Sequence, residues 1–296
     1  MPDFALRLLL RAALGDRGVA LCLHRVGGEP WLIDARMAPT TMAADRIDRL
    51  IEILLASRPA ARTPWLTVTF DDGYDDAASY VASRAPRYPQ VEFLFFVCPE
   101  KTSRGIGFRW DAVDEAVRRG RSLGDAVDVF RSAPDVLLEN EREELRDLGR
   151  QPRYRLADVD TLRALARWPN VALGNHTNGH FKQVTLTDEQ AGVEYVRSSE
   201  EYARLFGPQE HFAFPFGTPV IDVEERHVKL IRALGPLLLW STESRPYERP
   251  ERRSGAVLPR FPIDGTRDER QLATEIAARS VSYRLSGRRF ATSEHA

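Results

Sequence analysis

The sequence predicts an α/β fold built on parallel strands, and three observations support that class. Short apolar segments alternate with helical patterns about seven times along the 296 residues. Most of these segments are apolar on both faces, which suits parallel strands buried on both sides. No linker rich in Gly, Pro or Ser divides the chain, so we expect a single domain over residues 1–296. The alternation alone is compatible with an open sheet or with a closed barrel.

The strand segments are rich in Val, Leu and Phe and are bounded by turn residues, as buried strands usually are. In chain order they are residues 18–26, 66–71, 91–97, 170–175, 211–216, 236–241 and 256–261.

Apolar residues at helical spacing lie between the strand segments. One of these helices opens with Thr187 and Gln190 in the pattern of a capping box. Residues 122–154 are highly charged and are predicted to be a helical insertion that does not belong to the repeating units. The helical segments are 41–57, 76–84, 110–119, 156–168, 187–205, 224–234 and 269–278.

The charge balance and the cysteine count exclude some classes of protein. Lys and Arg number 42 against 43 Asp and Glu, so the net charge is -1 and no overall basic field could hold nucleic acid. The two cysteines, Cys22 and Cys98, lie in apolar runs, and we expect buried free thiols, with a disulfide as the alternative. Two cysteines are too few for a disulfide framework or a thiolate zinc site.

The N-terminal residues 4–14 are apolar except for Arg7 and Arg11. These arginines interrupt what would be the apolar region of a secretory signal, and no apolar stretch approaches the ~20 residues that span a bilayer. We expect an amphipathic helix that covers one end of the fold, with a peripheral membrane contact as the alternative. The sequence thus predicts a cytoplasmic protein, with the membrane surface as the alternative location.

Two neighbouring carboxylates follow the second strand segment. Asp71 and Asp72 repel each other, which costs stability unless a cation or a proton compensates. One carboxylate could bind a metal while the other takes a proton from water. Gly73 permits a tight turn behind them. The alternative is a surface turn whose acids cap the next helix, and this explains Asp75 and Asp76 better.

A local pair of histidines follows the fourth strand segment. His176 and His180 are separated by three residues, and Asn178-Gly179 between them predicts a turn that could aim both rings at one ion. One Asp and two His form a plausible ligand set for Zn²⁺, Co²⁺, Ni²⁺ or Fe²⁺. Such pairs also arise by chance on exposed loops.

The segment Phe214-Pro215-Phe216-Gly217 ends the fifth strand, where a backbone N–H could stabilise an oxyanion. An apolar strand followed by an ordinary turn is the alternative. All three features fall at the carboxyl ends of predicted parallel strands, which is the rim where barrels build active sites.

Together these residues resemble the polysaccharide deacetylase family, also called the NodB-homology or carbohydrate esterase 4 group. Residues 69–73, Thr-Phe-Asp-Asp-Gly, match its first motif, and residues 176–180, His-Thr-Asn-Gly-His, match its His-Ser/Thr-x-x-His motif. Residues 214–217 resemble its third motif. The first two motifs, in this order and at this separation, are specific, and a looser likeness covers most of the chain.

The resemblance implies a distorted (β/α)7 barrel that removes an N-acetyl group from an amino sugar or glycan. It implies Asp71 as the general base and the Phe216 N–H as the oxyanion donor. It also implies Asp72, His176 and His180 as ligands of a divalent metal, with zinc expected first and cobalt, nickel or iron as alternatives.

Two positions depart from the family pattern. The arginine that usually orients the base in the third motif is Ala213. The late Leu-x-His motif, which supplies the general acid, reads Leu258-Pro259-Arg260, and an arginine cannot donate a proton at neutral pH. The general acid is therefore unassigned. His24 at the end of the first strand is a candidate, and a packed or solvated histidine is the alternative.

Three functions stay open at this point. The first is a metal-dependent de-N-acetylase acting on an N-acylated sugar or glycan. The second keeps the same site as an amidase or deformylase for a small or lipid-linked substrate. The third is a carbohydrate-binding barrel without catalysis, which the missing acid and Ala213 motivate.

Overall fold

Parallel strands form the centre of the molecule. The computed structural model describes residues 3–27, 40–58, 65–120, 139–235, 238–252 and 255–286. The strands are β1 (Val19–Leu23), β2 (Arg25–Val26), β3 (Thr41–Met42), β4 (Leu66–Phe70), β5 (Val91–Val97), β6 (Val171–Asn175), β7 (His211–Ala213), β8 (Leu238–Ser241), β9 (Val257–Pro259) and β10 (Phe261–Pro262).

Eight of these strands form one all-parallel sheet in the order β10-β1-β4-β5-β6-β7-β8-β9. Its two outermost strands, β9 and β10, are separated in sequence only by Arg260. Because β9 pairs with β8 while β10 pairs with β1, one chain segment joins both ends of the sheet. The sheet therefore closes into a distorted barrel with seven strand positions, as the family resemblance implies. Strands β2 and β3 pair separately.

Helices surround the barrel. They are α1 (Asp3–Leu14), α2 (Ala44–Ser57), α3 (Asp75–Arg84), α4 (Pro99–Arg104), α5 (Arg109–Arg118), α6 (Glu139–Gly149), α7 (Val159–Leu165), α8 (Asp188–Phe206), α9 (Glu225–Arg232) and α10 (Glu269–Ser286). Each predicted helical segment overlaps one of these helices. The largest difference is at α10, which continues eight residues beyond position 278, and α7 begins three residues later than predicted because Asp158 caps its start.

The N-terminal helix belongs to the helical layer. Leu6, Leu10 and Leu14 are buried in the main apolar core, and α1 packs against α2 and α10. Arg284 near the end of α10 donates to the carbonyl of Ala12 near the end of α1, so the two helices lie side by side. The helix thus buries one apolar face against its neighbours, as predicted for an amphipathic helix.

The predicted insertion is described in part. Residues 121–138 lie outside the described residues, and α6 forms the helical part that follows. Leu145 and Leu148 of α6 are buried in a cluster with Phe108 and Trp110. Helix α6 is therefore packed against α5 and the residue that precedes it.

Cys22 and Cys98 are buried free thiols, as predicted. Within the described part of the chain, no helix is both long enough and apolar enough to cross a membrane.

Candidate active site and metal centre

The predicted functional residues converge on one rim of the barrel. Asp71 and Asp72 directly follow β4, and His176 directly follows β6. Phe216 lies three residues beyond the end of β7. Since β4, β6 and β7 are parallel members of one sheet, their carboxyl ends lie on the same side.

The two acids both face His176. His176 Nε2 lies 3.7 Å from Asp71 Oδ2 and 3.8 Å from Asp72 Oδ1. His180 Nε2 lies 3.2 Å from Asp72 Oδ1, and the two imidazole centroids are 4.9 Å apart. The ligand atoms offered by Asp72, His176 and His180 all lie within 4.8 Å of one another.

These three side chains fit a divalent cation. Each carries a buried polar atom that has no hydrogen-bond partner among the described residues: Asp72 Oδ1, His176 Nε2 and His180 Nδ1. Leaving several buried polar atoms unpaired in one place is costly, and a bound cation removes that cost at the carboxylate and at a ligating ring nitrogen. One carboxylate and two imidazoles are also a donor set that suits zinc and its neighbours.

The protonation states also suit a cation. Burial lowers the pKa of His176 to about 4, so this imidazole is neutral near pH 7 and available as a ligand. Burial raises the pKa of Asp72, but His180, together with His24 and His176, outweighs this effect and holds that pKa below its ordinary value. Asp72 is therefore a carboxylate at neutral pH.

The backbone is strained at the same rim. Five residues other than glycine have a positive φ in the described part of the chain. Four of them lie in the three rim segments, and the fifth, Val220, lies three residues beyond the third segment. The five residues are Asp72 (73°), Thr177 (64°), His180 (54°), Phe216 (60°) and Val220 (68°). Such conformations cost about 1–3 kcal/mol each and concentrate at functional sites.

Hydrogen bonds fix the histidine turn. Glu194 Oε1 of α8 accepts from the N–H groups of Asn178, at 2.8 Å, and Gly179, at 2.6 Å. His176 Nδ1 lies 2.7 Å from the carbonyl of Ala213. Because a carbonyl only accepts, Nδ1 carries the hydrogen, and the lone pair of Nε2 is free for a cation beside the two carboxylates.

Asp71 is gripped by a residue whose role the sequence analysis missed. Arg260 donates from Nη1 to Asp71 Oδ1 at 2.5 Å and from Nη2 to Asp71 Oδ2 at 2.9 Å. Burial raises the pKa of Asp71, but Arg260, aided by His176 and His24, outweighs it and holds that pKa well below its ordinary value. The available signal was a lone arginine within an apolar strand segment at the rim.

His24 also lies at the site. It is half-buried, and ligand atoms of Cys22, His24 and Asp71 lie within 4.8 Å of one another. That second group already contains a cation, the Arg260 guanidinium on Asp71. Burial raises the pKa of Cys22, so the thiolate form that a metal requires is disfavoured.

Aromatic rings surround His180. Phe108 and Trp110 stack with centroids 4.3 Å apart, and the Trp110 ring meets His180 edge-on at 4.8 Å. Phe216 contacts His180 from another direction at 5.1 Å and is 48% exposed. The sequence analysis did not single out Phe108 or Trp110, because they belong to a segment without a recognisable motif.

The structure thus brings all six predicted residues to one rim: Asp71, Asp72, His176, His180, Phe216 and His24. The positions of these residues agree with the sequence analysis, whereas their chemical roles stay predictions.

The fold is that of solved polysaccharide deacetylases. IcaB from Ammonifex degensii is 17% identical with a TM-score of 0.54, over 90% of this chain and 98% of that one. BC0361, a polysaccharide deacetylase from Bacillus cereus, is 12% identical with a TM-score of 0.57, over 88% and 69%. A de-N-acetylase from Aggregatibacter actinomycetemcomitans is 13% identical with a TM-score of 0.56, over 88% and 100%.

No protein-family model matches the chain, and no curated protein matches it. At these identities the likeness establishes the fold, and the function has to be argued from the site.

Proposed function

We propose that this protein is a metal-dependent hydrolase that removes an N-acyl group, most simply acetyl, from an amino sugar or glycan. The observation that carries this proposal is the buried group of Asp72, His176 and His180, with unpaired polar atoms beside the ionised carboxylate of Asp71. The fold supports it, since solved polysaccharide deacetylases have the same barrel.

Asp72, His176 and His180 would hold the cation. Zinc is our first choice, with cobalt, nickel or iron as alternatives. When bound, the cation supplies Lewis acidity toward the acyl oxygen and lowers the pKa of water.

The chain's own residues then divide the work. Asp71 accepts a proton from the water that attacks the acyl carbon. The Phe216 N–H donates a hydrogen bond to the oxygen on which negative charge develops. The C–N bond breaks as His24 gives a proton to the departing nitrogen, so that acetate and a free amine are the products. The exposed ring of Phe216, which lies against His180, offers an apolar face against which a sugar could pack.

We test this proposal with metal analysis and a screen for acetate release over polymeric and small N-acetyl sugars. In Asp71→Asn we expect acetate release to vanish while metal content is unchanged, because Asp71 is not a ligand. Asp75→Asn is the matched control, since Asp75 lies on the adjacent helix and pairs with Arg155.

Two outcomes would contradict the proposal. Retained turnover in Asp71→Asn would remove Asp71 as the base. A parent protein with stoichiometric metal and no turnover on any amide would favour the non-catalytic carbohydrate-binding barrel.

Our proposal also covers organisation and location. We propose one domain over residues 1–296, acting in the cytoplasm or at the membrane surface, without nucleic acid as a partner. Helix α1 leaves Phe4, Leu8 and Leu9 exposed beside Arg7 and Arg11. Apolar side chains flanked by arginines suit a peripheral contact with lipid.

A further inference from the structure

Arg260 is a fully buried arginine at the seam of the barrel. It is the single residue between β9 and β10, at the point where the last strand changes its pairing partner from β8 to β1. Side chains alternate along a strand, and Leu258 two residues earlier belongs to the buried cluster that contains Phe96 and Trp240. Arg260 therefore extends into the same barrel interior. Its side chain passes β1, which lies between β10 and β4, and reaches Asp71 at the carboxyl end of β4.

The contacts of Arg260 are directed at one carboxylate. Its two terminal nitrogens meet the two oxygens of Asp71, and Nη1 also donates to Thr69 Oγ1 at 3.0 Å. Its Nε donates to the carbonyl of Ser241 at 3.3 Å, and its guanidinium lies 5.1 Å from the centre of the Phe96 ring. These supports leave the guanidinium little freedom to move, so it acts as a fixed two-point clamp.

Ala213 makes room for this arrangement. Its side chain belongs to the same buried cluster as Phe96, the ring beneath the Arg260 guanidinium. A long charged side chain at position 213 would compete for this interior with a guanidinium that is already there. The small side chain of Ala213 therefore leaves space for the Arg260 side chain, and a second buried positive charge is avoided.

We propose that Arg260 is the positioning residue for Asp71: it holds the carboxylate in one orientation at the edge of the proposed metal centre, where Asp71 could accept a proton from water. This inference rests on the proposed function only in that Asp71 accepts a proton during hydrolysis. Arg260 is fully buried, and none of the hydrogen bonds of its side chain goes to a proposed metal ligand, so it would act through Asp71. Arg260, which stands where the family pattern has its general acid, would thus position the base.

The experiment compares Arg260→Gln and Arg260→Lys with the parent in acetate release, metal content, thermal unfolding and crystal structure. A carboxylate displaced by about 1 Å costs about 100-fold in rate, so we expect Arg260→Gln to lower kcat by about that factor with KM little changed. Lysine keeps the charge but cannot contact both oxygens, so Arg260→Lys should recover only part of the loss. Metal content should stay at the parent value in both.

Arg245→Gln is the matched control. Arg245 is also a buried arginine that pairs with carboxylates, but its partners Glu243 and Glu251 lie outside the site. We expect this variant to lower thermal stability and to leave kcat unchanged.

The crystal structures separate this inference from the proposed function. If the parent hydrolyses no N-acyl sugar but the Asp71 carboxylate rotates away in the Arg260 variants, the positioning role stands and the proposed function fails. A variant at Arg260 with kcat within about twofold of the parent, or with the Asp71 carboxylate unmoved, overturns the positioning role. If Arg260→Gln does not fold, Arg260→Lys decides by the same readouts.

Discussion

Two adjacent acids serve one site only because the backbone turns between them. In a continuing strand, Asp71 and Asp72 would point to opposite faces of the sheet. The positive φ of Asp72, 73°, ends the extended conformation, and both carboxylates come within 4 Å of the His176 ring nitrogen. Gly73 at φ 88° continues the turn. The motif Asp-Asp-Gly therefore supplies two carboxylates and also the backbone turn that brings both of them to one site.

The proposed role of His24 as the general acid can be tested directly at the residue scale. As a general acid it would contribute about 10²–10⁴-fold to kcat on a sugar amide, whose departing amine needs a proton. We expect His24→Gln to lose that factor with metal content unchanged. On an acetanilide with an electron-poor ring, whose leaving group needs less protonation, the loss should be much smaller. Equal losses on both substrates would indicate a structural role for His24.

Helix α8 supports the turn that carries the two proposed histidine ligands. Glu194 lies on α8, yet its carboxylate accepts the two N–H groups of the turn that carries His176 and His180. The turn has strained residues at Thr177 and His180, so an external support is needed to keep it in place.

Glu194 is therefore expected to tune metal affinity without touching the metal. Outer supports of this kind are worth about 10–100-fold in affinity, and we expect Glu194→Ala to weaken zinc binding by that factor in competition with a chromophoric chelator. Glu200→Ala, exposed on the same helix, is the control and should bind zinc as the parent does. Unchanged affinity in Glu194→Ala would mean that the strained turn holds itself.

Helix α8 was also the helix whose start was clearest in the sequence. Thr187 Oγ1 accepts from Gln190 N at 3.2 Å, and Gln190 Oε1 accepts from Thr187 N at 2.9 Å, which completes the predicted capping box. We expect Thr187→Ala to lower the free energy of unfolding by about 1 kcal/mol, measured by urea denaturation. Activity per folded molecule should not change, because the cap lies at the exposed end of the helix. A change below ~0.3 kcal/mol would show that packing alone fixes this end.

At the scale of the whole molecule, local patterns predicted the barrel strands, the helices between them and the two rim motifs at residues 69–73 and 176–180. Strand β3 was missed, because its residues fell within the predicted helical segment 41–57. Local patterns could not predict the closure, because β9 and β10 read as one segment and their division at Arg260 depends on which strands meet around the barrel. The aromatic pair Phe108 and Trp110 was missed for the same reason: its relation to His180 exists only after the chain has folded. Charge balance inside the barrel, with Arg260 against Asp71, likewise joins positions 189 residues apart.

The buried site should make the stability of the metal-free protein depend on pH. Burial lowers the pKa of His176 to about 4, whereas in the unfolded chain a histidine titrates near pH 6.5. Between pH 4 and pH 6.5, His176 therefore binds a proton in the unfolded chain but not in the folded protein. Stability due to neutral His176 is therefore fully present above pH 6.5 and is lost as the pH falls toward 4.

The size of the effect follows from the shift, since each pKa unit corresponds to about 1.4 kcal/mol and the whole interval to about 3 kcal/mol. Asp111 has the opposite effect on the pH dependence of stability. Burial raises the pKa of Asp111 to about 7, so the stability that its protonated form contributes is lost as the pH rises toward 7. We therefore compare the parent with His176→Asn in chelator by urea unfolding between pH 7 and pH 4, so that Asp111 cancels. The difference in unfolding free energy should move by about 3 kcal/mol in favour of the variant at low pH. A difference that does not vary with pH would mean that His176 is hydrated in the metal-free protein, and it would contradict a proposed metal centre that is already buried before the metal binds.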